Sequence, residues 1–359
     1  MKNKLGQYID ELHRLVTKPH SIMEVCGGQT HAIAALGLEN LLPEQLRLVH
    51  GPGCPVCVTA VGFIDAAMQL SHEKNVVLCS YGDMMRVPGL AGDLFSARAR
   101  GGQVELIYSP LDAVKLAANK PEKHIVLFAV GFETTAPATA VALLQAKQLG
   151  LKNFSVLCAH VLVPPCLEWL LQMEDGKPDG LLAPGHVCAI TGTEEYIDLA
   201  HQYQLSIVVT GFEPNDLLRG LVECVRRLEQ GDYGVWNAYA RCVQRQGNPV
   251  AMQAMKKVFS PENRYWRGLG NITNGGLCLC EEWAEYDALK KFCMGDISQE
   301  EEKSGGCRAG DVLRGMMKPE QCLHFGKECT PLSPLGAPMV SSEGACAACF
   351  RYRNVENPR

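Results

Sequence analysis

Residues 124–130 read His-Ile-Val-Leu-Phe-Ala-Val, apolar throughout after the first position, and stop at Gly131-Phe132-Glu133-Thr134-Thr135. A strand without polar alternation is covered on both faces, the situation of a parallel sheet sandwiched between helices. This stretch alone directs the chain toward an α/β fold. Shorter strand-like runs lie at 22–25, 47–49, 76–79 and 104–107, and most of them open onto a glycine-containing loop with helix-like sequence beyond it. Strand, Gly-rich loop, helix is the unit of an open α/β sheet, and ligand sites gather past the strand C-termini.

Two segments recur. Val156-Leu-Cys-Ala-His160 resembles Val77-Leu-Cys-Ser-Tyr81, and Ile207-Val-Val-Thr-Gly-Phe-Glu213 resembles Leu127-Phe-Ala-Val-Gly-Phe-Glu133, both at an offset of about eighty residues. The expectation is two similar open parallel-sheet α/β domains facing a cleft, over residues 20–145 and 146–245. A chain of 359 residues exceeds one ordinary core, so more than one domain is required. After about residue 245 periodicity fades while Gly and Cys rise, with one clear helix expected at 281–293. This marks a small Cys-rich C-terminal domain, 246–359, with the amphipathic helix within residues 1–19 as an optional addition.

The 47% hydrophobic and 20% charged content is that of a soluble globular protein. A net charge of −5 offers no basic surface for nucleic acid or an anionic membrane. No apolar run reaches the length of about 18 residues that a membrane span needs, and no apolar h-region stands near the N-terminus. A cytoplasmic location is the expectation. In that compartment seventeen cysteines point to metal or redox chemistry rather than a disulfide framework. Cys79, Cys158, Cys224 and Cys242, in apolar or helical contexts, are expected to pack as small hydrophobes.

The richest stretch is 24–57. It begins Glu24-Val-Cys26-Gly-Gly-Gln-Thr-His31 and ends His50-Gly-Pro-Gly-Cys54-Pro-Val-Cys57. Glycine lets backbone approach a bound group and proline fixes a turn, so these thiols are presented on loops. Cys26 at a helix start is expected to have a lowered pKa, because the helix N-terminus favours the anion. Cys54 and Cys57 have the C-x-x-C spacing of dithiol redox sites, with half of a zinc site as the competing reading. A further loop, Pro184-Gly-His186-Val187, follows another strand-like run. In the tail Cys307, Cys322, Cys329 and Cys346 are spaced C-x14-C-x6-C-x16-C, and Cys349 adds a C-x2-C with Cys346. Four thiolates suit Zn²⁺ or an iron–sulfur cluster. Only one tight pair is present, whereas structural zinc sites use two, so a [4Fe–4S] cluster is favoured.

These motifs, with Gly131-Phe-Glu-Thr-Thr135 between them, occur in an order that resembles the HypD family of [NiFe]-hydrogenase maturation factors over nearly the whole chain. The resemblance implies a scaffold that, with a HypC-type chaperone, assembles the Fe(CN)₂CO unit. Cyanide would come from a HypE-type partner supplied by a HypF-type protein, and electrons from an unidentified donor. It implies Cys26 as the iron seat, Cys54 and Cys57 as a redox pair, and Cys307, Cys322, Cys329 and Cys346 as [4Fe–4S] ligands. The result is a redox-active assembly scaffold rather than a conventional turnover enzyme. The chain departs from the family at Gln29, where histidine is frequent, at Cys188, where serine is usual, and near Pro338, where many relatives have another cysteine.

Iron bearing cyanide and CO is soft and favours thiolate. His31 is open between iron ligand and a backbone-bonded helix residue. Thr134 and Thr135 can donate to cyanide nitrogens and Glu133 can move a proton, or the threonines can cap the following helix. His186 is a pocket donor or acid, or a loop hydrogen-bonder. The expected relay runs from the external donor through the cluster and Cys54/Cys57 to iron on Cys26. Two other readings are a stand-alone Fe–S-dependent thiol–disulfide oxidoreductase and a zinc-stapled binding protein.

Overall fold

The computed structural model describes residues 2–173, 175–295, 297 and 306–352. Its strands, in chain order, are β1 (His20–Glu24), β2 (Leu46–His50), β3 (Val76–Ser80), β4 (Val104–Leu106), β5 (His124–Gly131), β6 (Phe154–His160), β7 (Gly180–Pro184), β8 (Ser206–Thr210), β9 (Gly234–Asn237), β10 (Phe259–Trp266) and β11 (Gly270–Leu279). The chain divides into two compact units. One comprises 1–54, 166–249 and 306–359; the other comprises 55–165 and 250–305.

In the first unit β2-β1-β7-β8-β9 form a parallel sheet, and in the second β4-β3-β5-β6 form another. The two sheets share a topology. In each, the second strand lies on one side of the first and the third and fourth lie on the other. The expected pair of similar parallel-sheet α/β domains is therefore present, but the second unit is inserted into the first between β2 and β7. The boundaries drawn at 145 and 245 do not coincide with these units, and the eighty-residue offset is not the repeat. Val77–Tyr81 and Val156–His160 lie on β3 and β6 of one sheet, while the other matched pair lies on β5 and β8 of different sheets. The local likeness comes from a requirement common to all buried parallel strands, an apolar run ended by small residues.

The first unit buries Leu12, Ile22, Leu48, Leu182, Val208, Leu217 and Leu221 in one core. The N-terminal helix Lys2–Leu15 contributes to it and packs on the helix Pro214–Gln230. Glu229 on that helix ties down the following turn, accepting from the Thr17 amide at 2.8 Å and contacting His20 at 3.0 Å. The N-terminal helix thus belongs to the α/β core and not to a Cys-rich domain.

The region after 245 is divided. Residues 250–295 build the antiparallel hairpin β10–β11 and join the second unit, and 306–352 join the first. The helix expected at 281–293 is two short pieces, a 3-10 turn Glu281–Tyr286 and an α-turn Ala288–Lys291. Asp287 separates them. Its backbone is extended (φ −76, ψ 117) and its carboxylate accepts from the Leu289 amide, starting a new helix.

Candidate functional site

Beyond the C-terminal ends of the first sheet lie Cys26 after β1, Gly51-Pro52-Gly53-Cys54 after β2, Gly185-His186 after β7 and Phe212 after β8. The strand order reverses between β1 and β7, and such a switch point is where an open α/β sheet opens a crevice. Cys26 and His186 occupy that position. They are separated by 160 residues in sequence, and the Cys26 sulfur lies 3.6 Å from His186 Nδ1. The ring of His186 meets Phe212 edge-on, with centroids 6.2 Å apart.

Cys26 is the N-cap of the helix Gly27–Leu36, in extended conformation (φ −148, ψ 117). This helix begins four residues before the start expected from sequence, which moves His31 into its second turn. The backbone N–H groups of Gln29 and Gly28 favour the Cys26 anion, as a helix start should, although the sulfur accepts no cap hydrogen bond. They do not prevail. Burial pushes the Cys26 thiol up and the charge of Glu24 adds to it, so the expected lowered pKa is overturned and metal-free Cys26 is a thiol at neutral pH. Burial also lowers the pKa of His186, leaving a neutral imidazole beside the thiol.

Glu24 is fully buried and holds the Cys26 loop from below. One carboxylate oxygen accepts from the Cys26 amide (2.9 Å), and the other accepts from the Thr30 hydroxyl (2.5 Å) and His50 Nδ1 (2.7 Å). Gly53 packs its backbone on Cys26, and a Cβ there would stand 2.3 Å from the Cys26 nitrogen. Its carbonyl accepts from Gly27 at 2.8 Å, so Cys54 follows directly on a residue in contact with Cys26. Cys54 and Cys57 are both buried. Cys57 lies in the short helix Pro55–Val58 of the second unit.

His31 turns toward the tail, with Nδ1 3.1 Å from the Ser342 carbonyl and Nε2 3.0 Å from the Tyr352 hydroxyl. Both ring nitrogens are thus engaged. Gln29 is buried and donates to the Ala183 and Thr210 carbonyls at the ends of β7 and β8 (3.4 and 3.2 Å). Cys188, two residues beyond His186 in the same helix, is fully buried.

Glu133 and Thr134 belong to the second unit, at the end of β5. Glu133 is buried and accepts from the Val163 amide at 2.8 Å, satisfying the first N–H of the helix Val163–Leu171. Thr134 is half-buried. Thr135 is the N-cap of Ala136–Gln148 but makes no side-chain cap; its hydroxyl donates back to the Phe132 carbonyl (3.2 Å).

In the tail, burial and the neighbouring Cys307, Cys329 and Cys322 push the Cys346 thiol up. Cys307 sulfur lies where a Cβ on Gly336 would be, at 2.4 Å, and the Leu335 amide donates to Cys329 sulfur at 3.4 Å. Phe325, Leu335, Met339 and Phe350 pack around Cys329 and Cys346. Among the described residues no three His, Cys, Asp or Glu side chains are set to enclose a single metal ion. The tail helix Ala345–Tyr352 packs on the helix that Cys26 begins.

The sequence profile HypD, described as the hydrogenase formation hypA family, matches residues 3–353. The chain belongs to the HypD family of hydrogenase maturation factors. Hydrogenase maturation factor HypD of Escherichia coli K12 is 45% identical over 354 residues, covering 98% of this chain and 94% of that protein. HypD of Rhodobacter capsulatus is 42% identical (97% and 93%), and HypD2 of Bradyrhizobium diazoefficiens is 43% identical (93% and 90%). No helix among the described residues of this HypD family member is long and apolar enough to cross a membrane.

Sequence reasoning missed Glu24, Thr30 and His50. The available signal was a carboxylate ending an apolar strand two residues before the key cysteine, with a histidine at the equivalent end of the next strand. Tyr352 and Phe212 carried no such signal.

Proposed function

We propose that this hydrogenase maturation factor is the scaffold on which, together with a HypC-type chaperone, the Fe(CN)₂CO unit is assembled, with iron held on Cys26. The observation that carries this reading is Cys26 at the sheet's switch point, facing the neutral His186. A single thiol with one imidazole cannot close the shell of a bare ion. Iron that already bears cyanide and CO leaves few positions for protein donors, and a chaperone thiol can supply another. Metal binding expels the Cys26 proton, which offsets its raised pKa.

Cyanide arrives from a HypE-type partner with a HypF-type protein upstream. Electrons come from an external donor through the tail cysteines and Cys54/Cys57. The donor set of Cys307, Cys322, Cys329 and Cys346 fits a [4Fe–4S] cluster better than zinc. Cys307, Cys329 and Cys322 all act on Cys346 yet the four enclose no single ion, a backbone N–H is aimed at one sulfur, and aromatic residues shield the group. When bound, the cluster supplies one-electron transfer. The buried Cys54 and Cys57 weigh against a free-standing disulfide reductase, whose attacking thiol must be accessible.

The test is infrared spectroscopy of the anaerobically purified complex with the chaperone. CN and CO stretching bands that disappear in Cys26→Ala are expected. A complex without such bands, from cells that mature the hydrogenase, defeats the scaffold reading. A colourless, zinc-containing preparation defeats the cluster assignment separately.

A further inference from the structure

The tail is joined to the Cys26 loop by three separate sets of contacts, all within the first unit. Lys318, four residues before Cys322, pairs with Glu39; Glu39 lies 3.6 Å from His50 Nε2; and the other nitrogen of His50 reaches Glu24, which holds the Cys26 amide. Ser342 and Tyr352 hold the two ring nitrogens of His31. Glu343 packs on Gly27, where a Cβ would meet its own Cβ at 2.5 Å. Beside these contacts the helix Ala345–Tyr352 packs on the helix Gly27–Leu36. A cavity of about 350 Å³ remains, lined in part by Glu39, His50, Lys318, Cys349 and Tyr352. Helix packing and these polar ties therefore join the tail to the Cys26 loop together, and beside the cavity the ties act alone.

We infer that the cysteine-rich tail is a wall of the Cys26 site, and that Glu24, His50, Glu39, Lys318, His31 and Tyr352 are positioning residues through which the folding of the tail fixes the Cys26 loop. One tie reaches the Cys26 amide through Glu24, and the other two end on Gly27 and His31 of the Cys26 helix, so cutting one frees the loop that presents the thiol. Global unfolding is not required for this, because local openings have their own free energies. The consequence for the proposed function is order. The tail must be folded around its metal before Cys26 can hold iron in place, so the four-cysteine set has a structural duty beside electron transfer.

The experiment measures iodoacetamide modification of Cys26 by mass spectrometry on the full-length protein, with Cys224 in the same unit as internal reference. Glu39→Gln and Tyr352→Phe are expected to raise the Cys26 rate by about tenfold each, the effect of a local opening made easier by one such tie. The Cys224 rate and the urea midpoint should stay near wild type. Stripping the tail metal with ferricyanide and chelator should raise Cys26 modification likewise. This last arm alone rests on the metal-binding reading of the tail, and its failure with the two variants behaving as expected would count against that reading and leave the ties standing. Cys26 rates within twofold of wild type in both variants, in folded protein, overturn the inference. A parallel rise at Cys224 does so too, since that would show general destabilisation.

Discussion

His50 is 7% exposed, and burial opposes its protonation, yet the hydrogen bond and charge of Glu24, with Glu39 and Glu320 nearby, outweigh burial and raise its pKa. The sign of the consequence follows. A histidine with a folded pKa above its unfolded value of about 6.5 binds its proton more tightly in the native state. Its contribution is full below about pH 6.5 and is lost as pH rises through the raised folded pKa. His50→Gln should therefore be more destabilising at about pH 6 than at about pH 9, by roughly 1.4 kcal/mol for each unit of the raised pKa. Urea midpoints of the two proteins across that range measure this. A destabilisation independent of pH would show that the bond to Glu24 acts through geometry and not charge. The balance at Cys26 has the same logic. Two N–H groups favour its anion, burial and Glu24 oppose it, and the opposition wins.

Among the elements, the loop after β2 packs closely on the Cys26 backbone. Gly53 needs no unusual φ; glycine is required because the Cys26 backbone occupies the space of a side chain. Gly53→Ala must push the two strand-end loops apart and is expected to cost roughly 1–3 kcal/mol, read as a lower denaturation midpoint, with loss of iron from Cys26 in the chaperone complex. A variant with wild-type stability and wild-type CN and CO bands would show that the loops are free to separate. Much of this was legible in sequence. Buried strands announced themselves as apolar runs, and Gly-rich ends marked the site because close approach excludes other residues. The start of the Cys26 helix was not legible, because glycines at its first positions read as loop by propensity. The break at Asp287 was hidden for the opposite reason, since acidic and apolar residues on both sides keep helical spacing across it. Pairings that depend on strand order, such as Cys26 with His186 and His31 with Tyr352, leave no trace in local sequence.

At the scale of the whole molecule, insertion of one α/β unit into another explains both the domain boundaries and the placement of the thiols. The chain leaves the first unit at Cys54 and returns at Cys166, so the C-x-x-C motif stands at a crossing and the tail returns to the sheet where the chain began. A fold so built must cover two sets of parallel strands, and several cysteines serve only that purpose. Cys79 and Cys158 lie inside β3 and β6 with thiols pushed up to about 12, chiefly by burial, and the Cys224 thiol is also raised within the core helix Pro214–Gln230. Cys242 departs from the expectation of packing. It is exposed, in a turn after β9, as is Cys293 beyond the Ala288–Lys291 helix. Because the thiolate is the reactive form, exposure and pKa together rank these groups. At about pH 8 the exposed Cys242 and Cys293 should be alkylated within minutes, while the buried Cys79, Cys158 and Cys224 remain unmodified until denaturant is added. Time-resolved peptide mass spectrometry reads this directly. Modification of Cys158 at the rate of Cys242 would mean that the second sheet opens to solvent in the native state, and the assignment of these thiols to packing would fall.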